Sequence, residues 1–170
     1  MSLVLNGTTG ISGTNALTGV TGVNSGQVGG RRNIVINGAM KVCQKPVSVT
    51  GLGSGSGYFS LDRYRIGTNA ASAGRFTMAQ VADGPAGFAN CLKLSTTTAD
   101  TSIAATENLT LNQRFEGQDL QQLKKGTSSA EQVTVSFYVK GNAAALYVCE
   151  LYDSDNGRSI TQSFAVTTAW

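Results

Sequence analysis

Residues 133–139 read VTVSFYV, in which Val133, Val135, Phe137 and Val139 alternate with Thr134, Ser136 and Tyr138. Successive side chains of a β-strand point to opposite faces, so this spacing predicts a strand with the four apolar residues turned inward. Shorter runs of the same kind recur from residue 33 onward. RFTMAQVA places Phe76 and Met78 on one face, and CLKLST places Leu92 and Leu94 together. TENLTLNQRF does the same with Leu109 and Leu111, with Phe115 beyond them. ALYVCELYD and SITQSFAV flank DSDNG, whose Asn156-Gly157 reads as a hairpin turn.

Between these runs stand turn signals. Ile34-Val35-Ile36 meets Asn37-Gly38, and MKVCQK follows as a short strand ending at Pro46. GLGSGSG, 51–57, reads as a loop, and YFSLDRYRIG, 58–67, as the next strand. One helix is expected in FEGQDLQQLKKG: Leu120 and Leu123 share a face, and Glu116 and Asp119 lie near the start. Lys124 and Lys125 fall in its last turn and Gly126 just past its end, the order that a helix dipole and a glycine cap prefer. Several strands with turns between them predict a mainly β fold, an antiparallel β-sandwich of jelly-roll type with one short helix. A chain of 170 residues suffices for one such domain with a real core. Charged residues make up 14% of the chain, and glycine outnumbers proline by 21 to 2, as turn-rich β structure favours.

Residues 1–32 stand apart from this pattern. Gly7, Gly10, Gly13, Gly19 and Gly22 fall in one register of three, with Ala16 and Ser25 in the same register. Collagen needs proline and an unbroken glycine series, and neither is present. Single apolar residues sit between the glycines: Val4, Leu5, Ile11, Leu17, Val20 and Val23. Such a segment has no core of its own. It reads either as a flexible tail or as an extended arm that orders against other chains, and regularly spaced apolar residues favour the arm.

The chemistry of the chain is sparse. There is no histidine, which removes Ser-His-Asp and Cys-His catalysis and the commonest zinc ligand. GLGSGSG lacks the GxxxxGK[ST] pattern and precedes a strand, so it is no phosphate cradle. DSDNG opens like a calcium loop, yet the twelfth position from Asp153 is Phe164 where a glutamate is required. Cys43, Cys91 and Cys149 are far apart, as small core residues in a reducing cytoplasm would be. A net charge of +3 with scattered basic residues gives no stripe for nucleic acid. No run of 18 apolar residues marks a membrane span, and no signal peptide is expected. Alternation in LDRYR places Leu61, Arg63 and Arg65 on one face and Asp62 and Tyr64 on the other. Tyr58, Tyr152 and Trp170 are candidates for stacking on sugar C–H faces. No cofactor, metal or catalytic residue is expected, and the chain is not read as an enzyme.

Together the residues resemble a known group. SLVLNGTTGISG is similar to the opening of many bacteriophage tail-fibre proteins. RNIVINGAMKVCQK followed by GYFSLDRYRI resembles the N-x-x-I-N-G…Q and Y-x-x-D-R-(W/Y) pair of phage fibre sandwich domains, with Tyr64 where tryptophan is commoner. QRFEGQDLQQLKKGTSSAEQVTVSFYVKG is similar to the middle of those domains. The resemblance covers nearly the whole chain and implies a carbohydrate-binding-module-like jelly roll in a homotrimeric virion protein, assembled in the host bacterial cytoplasm. It implies a virion-docking arm, residues 1–32, carrying Val4, Leu5, Ile11, Leu17, Val20 and Val23 against tail or adaptor proteins. The sandwich, 33–170, is then expected to support trimerisation and host attachment, without nucleic acid or membrane insertion. The final strand reaches Trp170, so either more fibre follows or a neighbouring chain covers its edge. Two alternatives stay open: a receptor-recognition module for host surface glycan, and a capsid-decorating fibre or minor tail protein.

Overall fold

The computed structural model describes residues 4–6, 10–12, 33–68 and 73–170. The fold is mainly β, and all its strand pairs are antiparallel. The chain divides into two units, Met1–Ile36 and Asn37–Trp170. In the first, β1 (Val4–Asn6) pairs with β2 (Gly10–Ser12), Leu5 lying opposite Ile11.

The second unit begins with β3 (Ser48–Leu52), β4 (Arg65–Thr68), β5 (Arg75–Val81) and β6 (Cys91–Thr98). It continues with β7 (Leu109–Asn112), β8 (Ala145–Asp153) and β9 (Arg158–Val166). β5 is the centre of a three-stranded sheet in the order β3-β5-β6, while β4 pairs with β7 and β8 with β9. Opposed residues share a face of an antiparallel sheet, and the register sets Val49, Met78 and Leu94 in one row across the three strands. Met78 is fully buried there, joined by Leu52, Leu61, Tyr64 and Ile66, with Leu92 and Leu94 packed against the cluster. Each such buried aliphatic side chain contributes roughly 1.5–3 kcal/mol relative to exposure. The Phe76–Met78 and Leu92–Leu94 pairs are thus placed as their spacing predicts. β3 ends where Gly53 passes Gly74 so closely that a Cβ at Gly53 would collide with the Gly74 carbonyl oxygen.

Six sequence expectations are corrected. MKVCQK forms no strand: residues 41–44 carry no regular structure and are held by the side chains of Asn37, Asp62 and Gln80. Asn37-Gly38 is not a hairpin turn, because Met40 N closes a turn on Asn37 O and no strand returns from it. In YFSLDRYRIG only Arg65 to Gly67 belong to a strand, and Arg63 has a left-handed backbone with φ 74°. That turn breaks the alternation, so Leu61 and Tyr64 are both buried while Arg63 is exposed. The helix is a 3₁₀ helix over Gly117–Leu123, capped by left-handed Lys124 at φ 48° rather than by Gly126. Its first turn holds Asp119, and Lys124 and Lys125 lie beyond it. Finally, VTVSFYV forms no strand: among the described residues, none makes a backbone hydrogen bond to residues 132–139. The cysteines are free and half-buried rather than core residues.

Candidate functional site

Two of the segments that carry the resemblance are clasped together. Asn37 has a left-handed backbone, φ 58°, which asparagine tolerates better than most residues. Its side-chain oxygen accepts from Val42 N at 2.9 Å, and its amide donates to Val42 O at 2.8 Å and to Asp62 O at 3.1 Å. Asp62 N donates to Val42 O at 3.3 Å, and the Asp62 carboxylate accepts from Gln44 N at 3.3 Å. Gln80, on the central strand β5, donates its side-chain amide to Met40 O at 2.6 Å and to Lys41 O at 3.2 Å. Residues 40–44 therefore obtain from side chains the hydrogen bonds that a strand would obtain from a ladder. Tyr64, next in the motif, is buried, and burial pushes its phenol above the ordinary value. The Asn37, Asp62 and Tyr64 side chains of the motif serve the fold, and Gln44 joins through its backbone N alone. Gln80 had no motif to mark it.

A second feature is an exposed apolar face on the β8–β9 hairpin. The register puts Tyr147, Cys149 and Leu151 of β8 on the same face as Phe164, Gln162 and Ile160 of β9. The unpaired run adds Val133, Val135 and Phe137 to it, and together they border a groove of about 350 Å³. Phe137 meets Phe164 edge to face, ring centres 5.1 Å apart, and Tyr147 stacks on Phe164 at 6.2 Å. Yet Ile160 is 70% exposed and Phe137 51%. Asp153 caps the hairpin turn, accepting from Asn156 Nδ2 at 2.7 Å and from Asp155 N at 3.2 Å. The Asn156 side chain is the first cause holding the Asp153 carboxyl below its usual value.

A third feature surrounds Trp170. Lys140 Nζ lies 4.6 Å from the centre of the indole ring. It also pairs with both oxygens of Asp83, at 2.9 and 3.1 Å. That hydrogen bond is the leading cause of a lowered Asp83 carboxyl, with the Trp170 indole adding a smaller pull. Phe88, from the same loop as Asp83, meets Tyr138 with ring centres 5.8 Å apart. One aromatic ring, Trp170, thus borders the ion pair, and Phe88, Tyr138 and Trp170 are all exposed. Asp83 and Lys140 are 57 residues apart, so no spacing rule joins them.

The sugar-stacking candidates are all exposed, but not gathered. Tyr152 lies near the hairpin turn opposite Ser159, whereas Trp170 lies near the other end, where Gly141 N donates to Thr167 O. Seven residue-to-residue steps of β8 separate Tyr152 from that end at Ala145, roughly 24 Å at the usual rise. Tyr58 stands beside the isolated Gly57–Ile66 bridge. Of the residues expected to dock, Val4, Leu5 and Ile11 fall on β1 and β2, while Leu17, Val20 and Val23 lie outside the described residues. No three or more carboxylate or cysteine side chains converge as a metal site among the described residues. Comparison with protein-family models, with curated proteins and with solved structures finds no match for this chain.

Proposed function

We propose that this chain is a structural component of a bacteriophage tail fibre. Residues 1–32 anchor the fibre to the tail or an adaptor. Residues 33–170 form a sandwich of jelly-roll type that supports trimerisation and host attachment. The observation that carries this reading is the clasp of Asn37 on Val42 and Asp62. Two of the residues that liken the chain to fibre domains, Asn37 and Asp62, are occupied in holding backbone, as architecture requires and chemistry does not. On this reading the chain has no catalytic role, needs no cofactor and is assembled in the bacterial cytoplasm, where its three free thiols stay reduced. Gold labelling of the chain in intact virions tests the assignment. Label on the fibres near the tail supports it, and label spread over the capsid favours a decorating protein instead.

The Trp170 cluster favours a second reading, a receptor-recognition module for host glycan. Exposed Trp170 offers a flat apolar face, and Asp83 and Lys140 beside it offer an acceptor and a donor for hydroxyl groups. Trp170 is the sole tryptophan, so its fluorescence reports on this site alone. A saturable change on adding oligosaccharide cut from the host surface supports this reading, and no change argues against it.

A further inference from the structure

We propose that the face formed by residues 133–137 with β8 and β9 is where a second copy of this chain docks. This deepens the fibre reading and rests on it only for the expectation that copies meet. Six large side chains on the face, Val133, Val135, Phe137, Tyr147, Leu151 and Ile160, are each exposed by two fifths or more. They leave on the order of 500 Å² of apolar surface in water, the upper range for the largest patch of a monomer. A standard interface takes about 800 Å² from each partner and is about two-thirds apolar in its core, so the face has the apolar area that one side needs.

Charge indicates which partner. Identical copies bring identical charges together, so a face shared between them must be neutral or self-matched. The groove is bordered by no ionisable side chain other than the Cys149 thiol. At the turn end the face carries one acid and one base, Asp153 opposite Arg158, which another copy matches in reverse. The opposite face of the hairpin is not self-matched: it carries Glu150 of β8 beside the exposed Leu146, Val148 and Tyr152, with Ser159, Ser163 and Ala165 from β9. An anionic partner such as nucleic acid or an acidic membrane finds no basic stripe on the apolar face.

Backbone chemistry points the same way. Residues 132–139, QVTVSFYV, contain neither charge nor proline and make no backbone hydrogen bond among the described residues. β8 and β9 form a two-stranded sheet, so each also has a free edge. Unpaired, alternating backbone is a template for strand addition from another chain. Pairing there would bury the apolar row and satisfy the backbone at once.

Sedimentation of the full chain over a concentration series tests the proposal. Ile160→Lys changes a side chain that is already 70% exposed, so the fold of a single copy tolerates it. Val135→Lys is the second variant, and Ser163→Lys on the opposite face is the control. The expected result is a self-associating chain whose dissociation constant rises at least about tenfold with either face variant. Ser163→Lys leaves it unchanged, and circular dichroism remains the same for all three. Self-association that neither face variant weakens overturns this surface and leaves the fibre reading standing. A chain that sediments as a single copy throughout overturns the surface together with the homomeric part of that reading.

Discussion

The side-chain amide of Asn37 donates to the backbone carbonyl of Asp62 across 25 residues of sequence, at 3.1 Å. The same amide group holds Val42 by both its N–H and its carbonyl. Asn37→Ala removes three hydrogen bonds and also places a Cβ-bearing residue without a local partner at φ 58°. The loss is expected to be about 2–4 kcal/mol of unfolding free energy. Asn37→Gly keeps the backbone conformation easy and recovers about 1 kcal/mol of that loss. Urea titration of both variants checks the pair, and equal effects would mean that backbone conformation plays no part.

Burial separates two apolar residues that look alike in sequence. Met78 is fully buried at the centre of β5, whereas Leu146 on β8 is 77% exposed. Met78→Ala is expected to destabilise by about 2–5 kcal/mol, and Leu146→Ala by no more than about 0.5 kcal/mol. Thermal unfolding of the two variants reads the difference.

Much of this was legible in the sequence, and the failures have identifiable causes. The segments ALYVCELYD and SITQSFAV coincide closely with β8 and β9, because their pattern and the turn residues between them agree. VTVSFYV has an equally clear pattern, yet alternation specifies a face and not a partner, and the run stands unpaired. MKVCQK failed as a strand because the side chains of nearby Asn37 and of distant Asp62 and Gln80 hold its backbone. LDRYR failed because a positive φ at Arg63 turns the chain, which no period-two rule anticipates. The Asp83–Lys140–Trp170 cluster was legible only as an exposed tryptophan, since its partners come from separate loops.

The Asp83 carboxyl is held below its ordinary value by Lys140, which fixes the sign of a pH effect. A group whose folded pKa is depressed stabilises the fold above its unfolded pKa, and that contribution fades as pH falls through the folded value. Trp170 shares the cluster, so its fluorescence is expected to shift on acidification with a midpoint below the ordinary aspartate value of 3.8. Asp83→Asn abolishes that step while leaving the neutral-pH fold intact. A step that survives in the variant would assign it to another carboxyl.

Deleting residues 1–30 and following the truncated chain through phage assembly tests the central claim most directly, that one part folds and the other attaches. Asn37 and the clasp remain, so the account predicts a truncated chain with the circular dichroism of the full one. It also predicts that this folded chain is absent from purified virions. Truncated chain incorporated at the normal level would contradict the account.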